Sequence, residues 1–297
     1  MRYLISGGTG FIGTALCADL LRDGHEVVVL SRAAGAAQSR LPAGARAIGD
    51  LAALDGADAV INLAGAGIVD ARWSAARKRL LLGSRIDTTR RLLGWMERLP
   101  RRPAVLVSAS AIGYYGPHGD QELTEEDAPS EDFAACLCRD WEAQALQAEA
   151  LGLRVCRLRI GIVLGAGGGA LSSMLTPFRL GLGGPMGSGR QWMSWIHRAD
   201  LVALIRWLAE GGAASGAYNG TAPQPATNAE FSKALGRLLR RPAFLPMPAL
   251  ALRLLLGEMA DIVLTGQKVL PRRALAQGFK FRFPQLEAAL RQVLQPA

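Results

Sequence analysis

Gly7, Gly10 and Gly13 stand at three-residue spacing between an apolar run and a helical apolar pattern, an arrangement that can bind a pyrophosphate. Backbone without Cβ atoms turns tightly and approaches the anion. The last glycine lets the helix lie on the strand, and free N–H groups at the helix start face the charge. Thr9, Phe11 and Ile12 supply the rest of that turn. Gly8, Gly10 and Gly13 also satisfy G-x-G-x-x-G, so the glycines alone leave two cofactor-binding subtypes open. A dinucleotide site that prefers NAD carries an acid about twenty residues on for the ribose 2′-hydroxyl. This chain has Ser31-Arg32 there, a hydroxyl and a guanidinium suited to a 2′-phosphate, so the expected cofactor is NADP(H).

Other residues fit the same site. Asp50-Leu51 places an acceptor where an adenine amino group would come, and Asn62-Leu63-Ala64-Gly65 is a small-residue turn against which a cofactor can lie. Arg85 can reach from a helix towards the cofactor phosphates or the substrate, and Val163 lies in the exit of a late strand towards the cleft. Ser108 and Ser110 leave the carboxyl end of another strand, the edge where open α/β sheets bind ligands. Their hydroxyls can hold a substrate carbonyl or alcohol. Each feature has an ordinary counterpart: a surface arginine, a close-packed turn, or serines bonding their own backbone.

Positioning these groups requires alternating strands and helices. The patterns predict strands in the run from Tyr3, at Glu26 to Leu30, Ala45 to Ile48, Asp58 to Leu63, Ala104 to Val107 and Arg154 to Ile160. Helices are expected over Phe11 to Leu21, Trp73 to Leu99, Phe133 to Leu151 and Asp200 to Gly211. The predicted class is α/β, a doubly wound parallel sheet with a smaller, mostly helical C-terminal substrate lobe. Seven carboxylates between Asp120 and Asp132 read mostly as a solvated loop and helix-start acids, with Ser130 as N-cap. Beyond Gly165 the composition changes. Glycine clusters at Gly165 to Gly169 and Gly181 to Gly189 bracket a helix, and Arg190 to His197 gathers two tryptophans, an arginine and a histidine as a ligand lid or lobe interface. Asn219-Gly220 reads as a turn and Leu250 to Leu256 as a core helix too short to span a bilayer.

With 297 residues and 50% apolar composition, the chain can bury a large core. Neither a membrane span nor a signal peptide fits, so a cytoplasmic protein that does not act on membranes is expected. The net charge of +9 invites a nucleic-acid reading. Only Lys78, Lys233, Lys268 and Lys280 are lysine, and the arginines scatter along helix faces without an aromatic-basic stripe, which argues against it. Cys17, Cys136, Cys138 and Cys156 lack metal or disulfide spacing, and no metal site is expected.

Taken together, strand-GGTGFIG-helix, Ser31-Arg32, Asn62-Leu63-Ala64-Gly65, Ser108-Ala109-Ser110 and Arg159 to Gly165 resemble the extended short-chain dehydrogenase/reductases. Gly113-Tyr114-Tyr115-Gly116, Trp141-Glu142, Gly183-Gly184-Pro185, Trp195-Ile196-His197, Gly266-Gln267-Lys268-Val269 and Gly278-Phe279 resemble, within them, the epimerase-like proteins with an extra C-terminal domain of unknown function. The resemblance covers essentially the whole chain. It implies a Rossmann-type NADP(H)-binding domain over 1–165, rejoined by 198–222, and a substrate lobe from 166–197 and 223–297. By analogy it also implies a homodimer through the helices at Trp73 to Leu99 and Phe133 to Leu151.

One departure bears on the reaction. The superfamily's proton donor is a tyrosine with a lysine four residues later, which lowers the tyrosine pKa. Here the spacing gives Ala134 and Cys138, or Phe133 and Leu137 in a register shifted by one. Tyr114 or Tyr115, beside the serines, and His197 in the expected lid are the substitutes on offer; a packed aromatic and a satisfied histidine are their ordinary readings. Two functions follow. One is an atypical NADP(H)-dependent oxidoreductase or epimerase acting on a small, anionic or nucleotide-linked substrate. The other is a catalytically silent NADPH sensor or scaffold working through a protein partner.

Overall fold

Valine- and isoleucine-rich runs buried on both sides can only be the strands of a parallel sheet covered by helices. The computed structural model, which describes residues 1–295, has seven: β1 (Arg2–Ser6), β2 (Glu26–Leu30), β3 (Arg46–Ile48), β4 (Ala59–Asn62), β5 (Val105–Ala111), β6 (Arg154–Ile160) and β7 (Gly216–Gly220). All pair in parallel, in the spatial order β3-β2-β1-β4-β5-β6-β7. Alternate side chains of one strand feed different cores. Tyr3 and Ile5 of β1 pack with α1 (Gly13–Arg22) and α6 (Arg198–Glu210), while Leu4 packs on the other face with α3 (Ala75–Arg98) and α4 (Phe133–Leu146). The strand order reverses between β1 and β4, which opens a crevice at their carboxyl ends, and the glycine turn and the 62–65 turn leave the strands there.

Two local expectations give way. Asn219-Gly220 is not a turn but the end of buried β7: Asn219 accepts from the Tyr115 hydroxyl at 2.7 Å, donates to the Leu270 carbonyl at 3.0 Å, and gives its N–H to Glu125 at 3.0 Å. Those partners satisfy the polar groups that would otherwise favour a solvated turn. The N-cap of α4 is Asp132, which accepts from the amides of Ala134 and Ala135, and not Ser130.

The remaining chain builds a third core. Helix α5 (Gly169–Arg179), the strand Trp195–His197, helix α7 (Asn228–Leu239) and the helix Leu286–Leu294 contribute Leu171, Phe178, Trp195, Phe231 and Leu290. Thr227 and Glu230 form a reciprocal cap on α7. Helix α8 (Ala249–Leu256) is not the core element its composition suggests. Leu252 is 5% exposed, but Leu250, Leu254 and Leu255 stand 61–70% exposed, because this single short helix packs by one edge. Among the described residues, no helix is long and apolar enough to cross a membrane.

Candidate functional site

The glycine turn is dictated by contacts on both sides. Gly7 has φ +77°, and a Cβ there would lie 2.6 Å from the Leu63 carbonyl oxygen. At Gly8 it would run into the Val29 side chain, and at Gly13 it would come within 2.3 Å of the Gly7 oxygen. Gly10 is freer, meeting only the Gly7 oxygen at 3.2 Å. No side chain caps α1, and the Phe11 and Ile12 amides find no acceptor among the described residues. This turn therefore presents unpaired N–H groups on a helix of full strength, which is the donor set a pyrophosphate requires.

The surrounding residues enclose that turn. Leu63 donates its amide to Ser6 at 2.9 Å, which draws Ala64 and Gly65 along the crevice. The Arg85 guanidinium lies over Gly65, so close that a Cβ there would meet its Cζ at 2.9 Å. It donates to the Ala66 and Leu81 carbonyls at 3.1 and 3.0 Å, stands 5.2 Å from the Trp141 ring, and is held below the usual arginine pKa by burial. The Phe11 ring rests on the backbone of Gly165, Gly168 and Gly169, with the Arg198 guanidinium 4.7 Å above it. The first of the two glycine clusters is thus a bed for an aromatic ring. Val163 lies in the strand Ile162–Leu164, paired with Ile196, and its carbonyl faces Gly169.

At the other end, the Ser31 amide bonds Ile48 at 2.9 Å and Arg32 is exposed. Asp50 caps a short turn over Leu51–Ala53 by accepting from Ala52 at 3.1 Å, and Leu51 is buried. Arg40, which the sequence reading passed over, donates to the Thr9 carbonyl at 3.3 Å. Its signal was present in the sequence, since no acid occurs between Glu26 and Asp50.

The serines and their neighbours form a second, buried system. Ser110 donates to Glu142 at 2.8 Å, and Arg159 binds the same carboxylate through Nε and Nη2 at 2.8 and 3.0 Å. Both charged side chains are 3% exposed, and the paired carboxylate holds the Arg159 guanidinium charged against the cost of its burial. Arg159 also donates to Tyr115, whose hydroxyl burial pushes up to about 12, and its guanidinium lies 3.5 Å from the Tyr114 ring centroid. Ser108 is buried and donates only to the adjacent Ala109 carbonyl, at 3.4 Å. Nearby, Ser6, Asn62, Thr89 and Trp141 run a separate hydrogen-bonded chain under the crevice.

Of the five residues offered for chemistry, only Tyr114 is left partly exposed with its hydroxyl uncommitted among the described residues. Ser110 is turned inward to Glu142. His197 is 5% exposed: Nδ1 accepts from the Ala199 amide as the N-cap of α6, and Nε2 bonds Gln292 at 2.8 Å. Burial lowers its pKa, and with both ring nitrogens engaged none is free for proton transfer. The strand it ends is buried under Phe283, 4.0 Å away, and is not a lid. Where a tyrosine and lysine pair would sit on α4, a Cβ on Gly113 would stand 3.4 Å from Ala134, and burial raises the Cys138 thiol to about 11.

Residues 3–219 match the NAD dependent epimerase/dehydratase family, and 247–293 match a domain of unknown function (DUF1731). The chain belongs to the NAD-dependent epimerase/dehydratase family. This epimerase-family chain is similar to the epimerase family protein SDR39U1 of Mus musculus, at 43% identity over 99% of the chain and 100% of the mouse protein. It is 38% identical to the epimerase family protein YfhF of Bacillus subtilis (strain 168), covering 99% and 98% of the two chains. Among solved structures, human epimerase family protein SDR39U1 (isoform 2), crystallised with NADPH, superposes with a TM-score of 0.90 at 40% identity and 99% coverage of both chains. The seven-stranded sheet described above spans essentially the residues that match the family, and the match to the domain of unknown function lies beyond it.

Proposed function

We propose that this chain binds NADP(H) and acts as an atypical oxidoreductase or epimerase on a small, anionic or nucleotide-linked substrate. The observation that carries the reading is the uncapped glycine turn, whose free amides lie beside a site with guanidiniums at both ends. The similar human protein crystallised with NADPH supports the same cofactor. Gly7, Thr9, Gly10, Phe11, Ile12 and Gly13 hold the pyrophosphate; Ser31 and Arg32 bind the 2′-phosphate; Asp50 and Leu51 border the adenine. Leu63, Ala64, Gly65 and Val163 line the path to the nicotinamide, and Arg85 neutralises a phosphate or a substrate anion. We take 1–165 with 198–222 as the nucleotide-binding unit of a cytoplasmic protein and the rest as the substrate lobe.

When bound, NADP(H) supplies the hydride. Tyr114 holds the proton, its ring fixed against Arg159, while Glu142 keeps Arg159 and Ser110 in place. A second reading, an NADPH sensor acting through a protein partner, is favoured by Ala134 and Cys138 at the usual catalytic positions and by the inward turn of Ser110.

The deciding experiment incubates the protein and a small-molecule extract with NADPH deuterated at C4, then searches by mass spectrometry for metabolites that gain the label. A labelled product that disappears in Tyr114→Phe establishes the reductase. Saturating NADPH binding without any labelled product overturns reduction and shifts the conclusion to the sensor, or to an epimerase that returns its hydride internally.

A further inference from the structure

Between Glu26 and Asp50 the chain has no carboxylate, yet it carries Arg32, Arg40 and Arg46. Neither Arg32 nor Arg40 has an ion-pair partner among the described residues, whereas exposed arginines such as Arg22, Arg90, Arg139 and Arg237 each pair with an acid nearby. The residues that separate them, Ala33 to Gln38, are mostly alanine and glycine, and they form the short helix α2 (Ala34–Gln38). Gln38 is tied down by bonds to Ala45 and Ala47 at 2.8 Å each, so the exit of that helix is held against β3. Arg40 follows directly and reaches back across the crevice rim to the Thr9 carbonyl.

We infer that Arg40 is a second specificity residue for the cofactor. It closes over the adenosine 2′-phosphate opposite Arg32 and sets the preference for NADPH over NADH. This rests on the nucleotide reading above and deepens it. A guanidinium has five N–H donors, and the Thr9 carbonyl takes one. The others remain for an anion beside the glycine turn, and the bond to Thr9 holds the fork in place before the ligand arrives. A monoester phosphate carries more than one negative charge, and two guanidiniums in a segment free of acids match it better than one. The bond to Thr9 also couples the phosphate to the loop: filling one orders the other.

The test titrates the full chain with NADPH, NADH, 2′,5′-ADP and 5′-AMP, comparing the parent with Arg40→Ala, Arg40→Lys and Arg32→Ala. Arg40→Ala is expected to weaken NADPH and 2′,5′-ADP about tenfold or more while NADH and 5′-AMP change less than about twofold, a contrast typical of one lost charge-assisted contact. Arg40→Lys restores part of the loss, because the charge returns without the fork. Equal losses for all four ligands would assign Arg40 to loop support alone and overturn the inference. So would an unchanged preference in a parent that favours NADPH, with the nucleotide reading intact. A parent that binds none of the four removes both.

Discussion

Gly13 has no room for a methyl group, because its Cβ would overlap both the Gly7 oxygen and Gly8 Cα, the latter at 2.6 Å. Gly13→Ala must push the helix off the strand, at a cost of roughly 1–3 kcal/mol, and chemical denaturation should read that loss together with NADPH affinity lowered at least about tenfold. His197 makes a prediction in pH. Burial depresses its pKa below the ordinary 6.5, so the unfolded chain binds the proton first. Its share of stability is intact above about 6.5 and is lost as pH falls towards the native pKa. Urea midpoints at pH 7.5 and 5.5 should therefore separate further for the parent than for His197→Asn, which keeps a capping oxygen without the titration. Residues of this kind differ in how far the sequence exposes them. The glycine turn is legible because its glycine spacing and the flanking strand and helix patterns lie in one short segment, whereas the inward turn of Ser110 depends on Glu142, thirty-two residues away on another element. For His197 the sequence offered both a catalytic and a satisfied-histidine reading, and the partner that satisfies it, Gln292, lies far along the chain.

Helices and strands were legible wherever apolar periodicity spoke without competition. β2 and β6 span the residues that the apolar pattern predicts, Glu26–Leu30 and Arg154–Ile160. β7 was hidden because Asn-Gly is a strong turn signal, and only the Tyr115, Glu125 and Leu270 contacts turn it into a strand. α8 misleads in the opposite sense: leucine content suggests core, but length and neighbours decide burial. The contrast within that helix is measurable. Leu252→Ala should cost about 2–3 kcal/mol, while Leu254→Ala, at a position 69% exposed, should stay within about 0.5 kcal/mol. Thermal melts of the two variants side by side check it, and equal losses would mean that the exposed face of α8 is covered in solution.

Over the whole molecule, distant segments are stitched together by single buried groups. Asp200, 2% exposed at the start of α6, accepts the amides of Arg282 and Phe283 at 2.8 and 2.9 Å. Asp200→Ala leaves both donors without a partner, at a cost of about 1–3 kcal/mol, and limited proteolysis should then cut near Arg282 before the sheet opens. The two-residue strand Lys268–Val269, laid beside Glu122–Leu123, ties the C-terminal extension to the exit of β5 in the same way. The order of the strands has one more consequence. β7 is at once the last strand of the sheet in sequence and its outer edge, next to β6. On the ribosome, β6 therefore emerges with a free edge, and Tyr115 waits without its Asn219 partner while the α5 segment and α6 are still being made. A nascent chain stalled before Gly220 presents that open strand to any neighbour, so the interval between β6 and β7 is when the sheet is most open to edge-to-edge pairing with another chain.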